Sequence, residues 1–514
     1  MDDRFTGSLA DMADHWAREA PEGPATGNAG GRLLTFGALA HRSAQVANAL
    51  ADSGGPVAYL GRDSAVWAEL MVGANRRGVP AVPLNWRLAP GELARVLDHA
   101  RPGTIVSDAA YLPALGVTDE AAGENTVVLG GDLSVAGGYD AWLDGRSAVA
   151  DPRPADPGAA TLLIYTSGTS GQPKAVQLTN GNIAANLTSS APWEVGPGSV
   201  VCVPSPLFHV SGTGWLFYCL GRGARSVFLT DASPEGVLRV LQDVRATHML
   251  SVPAVVQTLV QSPAVAGADL SSLDTLIYGG SPMPPAVIEE ARTVLGCDLV
   301  QSYGMTEACG PITFLGPEDH RRGGARLASA GRAADGVEIQ IRDPGTENEL
   351  PAGATGEVWM RSALLTPGYL GGEADNARAF RAGGWFRTGD AGHLDGDGYL
   401  FLTDRITDMI ITGGENVHPV EVENVLAEHP DVAEVAVVGV PDQRWGETVA
   451  AMVVARGGAV PTEPELIAFC RDRLAHYKCP TRVDLVGELP RTPSGKVLKR
   501  RLRELAVPRV SGAH

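Results

Sequence analysis

Residues 165–176 read Tyr165-Thr166-Ser167-Gly168-Thr169-Ser170-Gly171-Gln172-Pro173-Lys174-Ala175-Val176. They follow an apolar run, Thr161-Leu162-Leu163-Ile164-Tyr165, with the composition of a buried strand. Hydroxyl residues alternating with glycine make a poor core. They make a good loop, whose backbone N–H groups and hydroxyls can wrap a polyphosphate while Lys174 adds a point charge. The spacing is not that of the common P-loop, which ends in Gly-Lys-Ser/Thr, so another class of phosphate-handling enzyme is indicated. A solvated Gly/Ser turn has the same composition, and by itself the loop leaves both readings open.

Outward from this loop, residues 30–300 alternate short apolar runs with helical patterns. Val57–Leu60 reads as a strand, Ser64–Arg77 as a helix with Val66, Trp67, Leu70 and Met71 on one side, and 79–84 as extended. The alternation recurs at 200–204, 226–229 and 274–278, which predicts parallel sheets with helices on their faces. Residues 145–158, rich in Pro and Ala, read as a surface connector. The pattern changes near 404–419. Beyond it, a helix at 419–429, strands at 432–440 and 450–455, a capping box at Thr462–Glu465 and a short strand at 482–486 describe a small α+β unit. The expected division is a large domain over 1–404, a hinge at 405–408 and a small mobile domain over 409–514.

The 514 residues suit two or three domains. A net charge of −18 argues against general nucleic-acid binding and against stable membrane association, but not against an anionic cofactor. Six cysteines without a CxxC spacing argue against a zinc site and against a disulfide framework, and suit free thiols in a reducing cytoplasm. The N-terminal residues lack a signal-peptide core, the C-terminal Ser-Gly-Ala-His carries no obvious address, and no run is long enough to span a bilayer.

Further polar clusters follow in order: Tyr278-Gly279-Gly280-Ser281-Pro282, Gln301-Ser302-Tyr303-Gly304-Met305-Thr306-Glu307, Thr388-Gly389-Asp390, Asp404-Arg405, Gly413-Gly414-Glu415-Asn416 and Arg491-Thr492-Pro493-Ser494-Gly495-Lys496. Each alone is compatible with a plain turn. Together, in this order and across residues 30–500, they resemble the adenylate-forming superfamily, and within it the AMP-forming acyl-CoA synthetases.

The resemblance implies a fold of stacked, mainly parallel sheets with helices and a small β-barrel-like subdomain, followed by the mobile α+β domain. It implies ATP, Mg²⁺ and coenzyme A as cofactor and co-substrates. Thr166, Ser167, Gly168, Thr169, Ser170, Gly171 and Lys174 would hold the β- and γ-phosphates. Gly279, Gly280, Ser281, Pro282, Ser302, Tyr303, Gly304 and Met305 would frame the adenine. Thr306 would meet the α-phosphate, Glu307 with Thr169 would hold Mg²⁺, and Asp390 with Arg405 would bind the ribose. Lys496 would neutralise charge on the carboxylate and α-phosphate in the transition state. After adenylation the small domain would turn about Thr407, and Gly413-Gly414 would line a channel for pantetheine.

Pro206-Leu207-Phe208-His209-Val210-Ser211-Gly212 resembles the acyl-CoA synthetase form. It offers no carboxylate for a substrate ammonium, whose burial without a partner would be costly, so α-amino acids are disfavoured. The acyl pocket and CoA channel would draw on 209–215, 252–257, 278–281 and 303–312, including His209, Trp215, Tyr278, Ala308 and Cys309, with Trp445 and Lys478 near CoA. His209 and Trp445 read equally well as core residues. The sequence departs from the family pattern at Ala175, where Gly is usual, at Asn180, where His is frequent, and at Thr407, where Asp or Lys is usual. A methyl at 175 would bar a left-handed backbone and tighten the phosphate loop. The function expected is an ATP-dependent acyl-CoA ligase acting on a non-amino-acid carboxylic acid. The alternatives are loading of a carrier protein, a specialised enzyme running mainly one half-reaction, or a non-catalytic nucleotide-binding homologue.

Overall fold

Strands with both faces apolar need cover on both faces, and the chain supplies it in alternating layers of helix and sheet. The computed structural model describes residues 7–116, 125–130, 138–150, 154–167, 173–189, 192–405, 410–412, 415–417, 419–442, 446–474, 476–491 and 497–506. A six-stranded sheet runs in the order Thr126–Leu129, Thr104–Asp108, Val57–Leu60, Ala81–Pro83, Ala160–Ser167, Pro173–Thr179. It is parallel up to the last pair, which is antiparallel. A nine-stranded sheet has a parallel centre, ordered Asp298–Met305, Thr275–Gly279, His248–Ser251, Val200–Val203, Arg225–Phe228, Pro24–Asn28, with antiparallel strands at both edges.

Side-chain parity shows how the layers stack. Val57 and Tyr59 enter the same core as Val201, Val203 and Ile277, together with the helices Leu9–Glu19, Phe36–Ala49, Ser64–Arg77 and Val210–Arg222 between the two sheets. Their neighbours Ala58 and Leu60 face outward to the helix Pro90–Ala100. On the far side, Cys202, Leu276 and Leu299 pack against Pro234–Asp243, Pro253–Gln261 and Pro285–Leu295. A one-residue slip would exchange the two sets, so register is held by both cores.

The helix Ser64–Arg77 starts at Asp63, whose carboxylate accepts from Ala65 N (2.8 Å) and Val66 N (3.2 Å), and ends at Gly78 with φ 78°. The sequence predicts one buried stripe, but every residue from Ser64 to Ala74 is buried, because the helix lies between sheets. Its Glu69 is fully buried and is neutralised by Arg32 and Arg42, with the Tyr139 hydroxyl donating at 2.8 Å.

The large unit closes with a five-stranded antiparallel sheet, Glu338–Arg342, Gly356–Arg361, Trp385–Leu394, Phe380–Arg381 and Leu400–Arg405. From Ile410 the chain builds a further sheet of five strands with its own cores, one around Val422, Val437 and Leu466 and one around Val438, Met452 and Leu502. Its elements match the sequence expectation: helices Pro419–Ala427 and Glu463–Arg471, and strands Val432–Asp442, Gly446–Ala455 and Arg482–Leu485. Glu465 accepts from Thr462 N at 2.8 Å, the reciprocal half of the expected capping box. Gln257 Nε2 donates to Ala433 O (3.0 Å), joining the helix Pro253–Gln261 to the small unit.

Candidate active site

The opening stretch is a β-hairpin. Thr166 pairs with Lys174 and Ser167 with Pro173 across its two strands. Gly168, Thr169, Ser170 and Gly171, the rest of the expected phosphate loop, lie outside the described residues. Against the second strand lies the segment 366–370. Leu370 N donates to Ala175 O (2.9 Å), Gln177 N to Gly368 O (3.3 Å), and Thr366 Oγ1 to Gln177 O (2.6 Å). Asn182 holds the approach to this segment, with Nδ2 donating to Ala363 O (3.0 Å) and Leu365 O (2.8 Å). On the other side Thr366 N donates to Glu307 O (2.8 Å).

This stitching sets Tyr369 between two charged groups. Its hydroxyl donates to Glu307 Oε1 at 2.8 Å, and Lys174 Nζ lies 5.4 Å from its ring centroid. Burial first, and the Glu307 charge second, push the Tyr369 hydroxyl well above its ordinary pKa, so it remains a donor. Lys174 also forms an ion pair with Asp375 of the helix Glu373–Ala379, Nζ to Oδ1 2.9 Å, and Arg378 pairs with the same carboxylate. Sequence reading did not find Tyr369, Asp375 or Arg378. No periodicity marks them, and their role depends on where an irregular segment docks.

The strand Asp298–Met305 carries Ser302, Tyr303, Gly304 and Met305 and leads into the single turn Thr306–Ala308. A bulge falls between Tyr303 and Gly304, and a Cβ on Gly304 would sit 2.1 Å from Gly310 O. Gly280, at φ 83°, turns the chain after the neighbouring strand, which brings Gly279 level with Ser302. The Tyr303 hydroxyl donates to Asp390 Oδ2 at 2.6 Å. Asp390 N is held by Thr388 Oγ1 (3.1 Å), and Asp390 stands opposite Arg405 in the antiparallel pair. Two of the expected clusters, one on each sheet, therefore meet through a tyrosine–carboxylate hydrogen bond. Ser281 and Pro282 follow directly in the turn after Gly280.

Other expected site residues sit differently. Tyr278, expected in the acyl pocket, points to the opposite side of its strand. It is fully buried among the outer helices, and its hydroxyl pairs with His320 Nε2 at 2.9 Å. Strand parity accounts for this, since Ile277 takes the inner face. Gln257, within the expected lining 252–257, turns to the small unit. Trp215 lies in an aromatic group with Trp193 (centroids 5.1 Å) and Tyr218 (5.4 Å), and Phe314 meets Trp193 edge-on at 5.0 Å. His209 precedes the helix Val210–Arg222 with its ring 4.5 Å from Phe208. Ala308 and Cys309 are buried, and Cys309 has a left-handed backbone, φ 54°. Lys478 is paired with Glu421 at 2.6 Å. Lys496, Thr407, Gly413, Gly414 and Trp445 lie outside the described residues.

The departure at 175 has a plain structural reading. Ala175 is extended, opposite Tyr165, and its methyl is fully buried in the outer core with Leu60, Val82 and Leu163. No left-handed backbone is needed, so the expected tightening does not arise at this residue. Asn180 is likewise structural: its Oδ1 accepts from Asn75 Nδ2 (2.8 Å) and Thr161 Oγ1 (3.0 Å).

Among the described residues no group of three or more His, Cys, Asp or Glu side chains could cage a metal. Glu307 nevertheless suits Mg²⁺, which is commonly bound by one or two carboxylates together with substrate phosphates and water. One Glu307 oxygen takes the Tyr369 hydroxyl, which orients the carboxylate and leaves the other oxygen available in that pairing. No helix among the described residues is long and apolar enough to cross a membrane.

Two family models match the chain: AMP-binding enzyme over residues 13–370, and AMP-binding enzyme C-terminal domain over residues 421–496. A fatty acid–[acyl-carrier-protein] ligase, ScoC, of Streptomyces coeruleorubidus is 36% identical over 92% of this chain and 92% of its own length. A feruloyl-CoA synthase of an Amycolatopsis species is 36% identical over 95% of this chain and 96% of its own. Among solved structures, the amide bond synthetase McbA from Marinactinospora thermotolerans superposes with a TM-score of 0.86 at 33% identity, covering 98% of this chain and 100% of that one.

Proposed function

This chain belongs to the AMP-binding enzymes of the adenylate-forming superfamily, and we propose that it is an ATP-dependent, AMP-forming acid–thiol ligase. A carboxylate attacks the α-phosphorus of ATP, pyrophosphate leaves, and the acyl-adenylate passes its acyl group to the thiol of coenzyme A with release of AMP. The observation that carries this reading is the meeting of Lys174 and Glu307 about Tyr369. It brings a cation for phosphate and a carboxylate for a divalent metal to one tyrosine, the first over its ring and the second at its hydroxyl.

The first step brings anions together, so its catalysis is chiefly electrostatic. Glu307, with Thr169 and the phosphates, would hold Mg²⁺, which would supply Lewis-acid neutralisation there. Lys174 and the hydroxyl loop from Thr166 hold the β- and γ-phosphates, and Thr306 meets the α-phosphate. Asp390 accepts the ribose hydroxyls, with Tyr303 orienting its carboxylate and Arg405 assisting. Gly279 to Pro282 and Ser302 to Met305 frame the base. Lys496 neutralises the attacking carboxylate and the α-phosphate. The large domain over 1–404, the hinge at 405–408 and the small domain over 409–514 then exchange Lys496 for the Gly413-Gly414 loop. A cytoplasmic location suits the six buried cysteine thiols.

A carrier protein as acceptor is the second reading, favoured by the likeness to ScoC. The likeness to an amide bond synthetase adds an amine as a third acceptor class. One screen tests all of them. Aromatic, fatty and polycyclic acids are each assayed for pyrophosphate release, then for product with coenzyme A, phosphopantetheinylated carrier or amine. Acid-dependent pyrophosphate release with coenzyme A consumption is the expected result. Release followed by transfer only to carrier or amine would replace the acceptor, and ATP binding without release for any acid would overturn the enzyme reading.

A further inference from the structure

Lys174 is the cation assigned above to the ATP phosphates, yet in this structure it is already engaged. Its ammonium pairs with Asp375 at 2.9 Å, and the two side chains are only 18% and 20% exposed. A pair so shielded is screened less than one on the open surface. The other charged partner of Asp375 is Arg378, one turn on. The carboxyl is held below its ordinary pKa, chiefly by the hydrogen bond from Lys174 and further by Arg378. Beyond Lys174, the Tyr369 ring and then Glu307 complete a line of alternating charge: Arg378, Asp375, Lys174, Glu307.

We propose that Asp375 is a counter-ion that nucleotide phosphate must displace from Lys174, and that it thereby weakens the binding of ATP and pyrophosphate selectively. The proposal rests on the reading of Lys174 as a phosphate-binding lysine. Lys174 exchanges one carboxylate for phosphate oxygens of higher charge, while Asp375 retains Arg378 as its partner. Without β- and γ-phosphates AMP makes no such exchange. Asp375 is thus a positioning residue for Lys174 whose effect is confined to ligands carrying the outer phosphates.

The test compares wild type, D375N, K174A and the double variant in the full-length enzyme. Equilibrium dissociation constants are measured for ATP, pyrophosphate and AMP, and thermal unfolding is followed in parallel. D375N is expected to bind ATP and pyrophosphate about two- to fivefold more tightly, the scale of a partly shielded ion pair. AMP affinity should be unchanged, and D375N should add nothing in the K174A background. Weaker or unchanged ATP binding in D375N, with K174A selectively impaired for ATP, would overturn the proposal and leave the role of Lys174 standing. An equal gain with and without Lys174 would overturn it too, because Asp375 would then act on phosphate directly. If K174A lost no more affinity for ATP than for AMP, the phosphate role of Lys174 would fail first and the counter-ion role with it.

Discussion

Tyr369 touches both halves of the proposed phosphate site: it donates to Glu307 and presents its ring to Lys174. A hydrogen bond to a charged acceptor contributes about 1.5–3 kcal/mol, so losing it should let the Glu307 carboxylate rotate away from its orientation. Tyr369→Phe is expected to lower the rate of acid-dependent pyrophosphate release about tenfold. It should also raise the Mg²⁺ concentration needed for half-maximal rate, with unfolding temperature little changed. A wild-type Mg²⁺ dependence in a folded variant would remove Tyr369 from this role. Residues of this kind were hidden in the sequence. Thr306, Glu307 and Asp390 stand in the ordered motifs that carry the family resemblance, whereas Tyr369 and Asp375 lie in a segment without motif or period. Ala175 is the converse case: its oddity was visible, but only the strand register shows that its methyl fills the outer core.

Between residues and the whole molecule, the decisive element is the irregular run 362–370. It acts as a splint between the hairpin strand Pro173–Thr179 and the turn Thr306–Ala308. Asn182 is its main side-chain anchor. Nδ2 donates to two carbonyls of the run, while Oδ1 accepts from Thr179 N (3.0 Å) to close the capping box at the head of its own helix. Asn182→Ala leaves these groups without a partner and is expected to cost about 2–3 kcal/mol, read from chemical denaturation. Activity should fall more than stability explains, because Tyr369 shifts with the run; a fully active variant would show that the splint does not position the site. The regular elements were legible from their periodicity and breakers. The helix Ser64–Arg77 was legible in extent but not in burial, since sandwiching between sheets is a property of their stacking. Tyr278, expected in the acyl pocket, lies on the outer face of its strand, and a strand buried on both faces carries no alternation to say which side is which.

At the scale of the whole molecule, two buried histidines give stability a dependence on pH. His248 is held by Thr247 Oγ1 and Trp193 O, each at 2.7 Å, and His320 by Tyr278 OH (2.9 Å) and Gly316 O (2.8 Å). Burial is the leading cause that lowers both pKa values from the ordinary 6.5. A lowered folded pKa means that the unfolded chain binds protons first. The stabilisation is therefore fully present above about pH 6.5 and is lost as the pH falls toward and through the folded values. Denaturation midpoints should decline between pH 7.5 and 5.5, and His320→Gln should shrink that decline. An unchanged pH dependence in the variant would show that His320 is not one of the groups responsible.

Both units of the chain and the clusters they carry converge on one chemistry, activation of the carboxylate as an adenylate. The direct test uses an accepted acid labelled with ¹⁸O in its carboxylate, a single turnover with ATP and the acceptor, and mass analysis of the nucleotide. Attack on the α-phosphorus leaves one carboxylate oxygen in the phosphate of AMP, and AMP carrying one ¹⁸O is the predicted result. Label in inorganic phosphate with ADP as the nucleotide product, or AMP without label, would contradict the account.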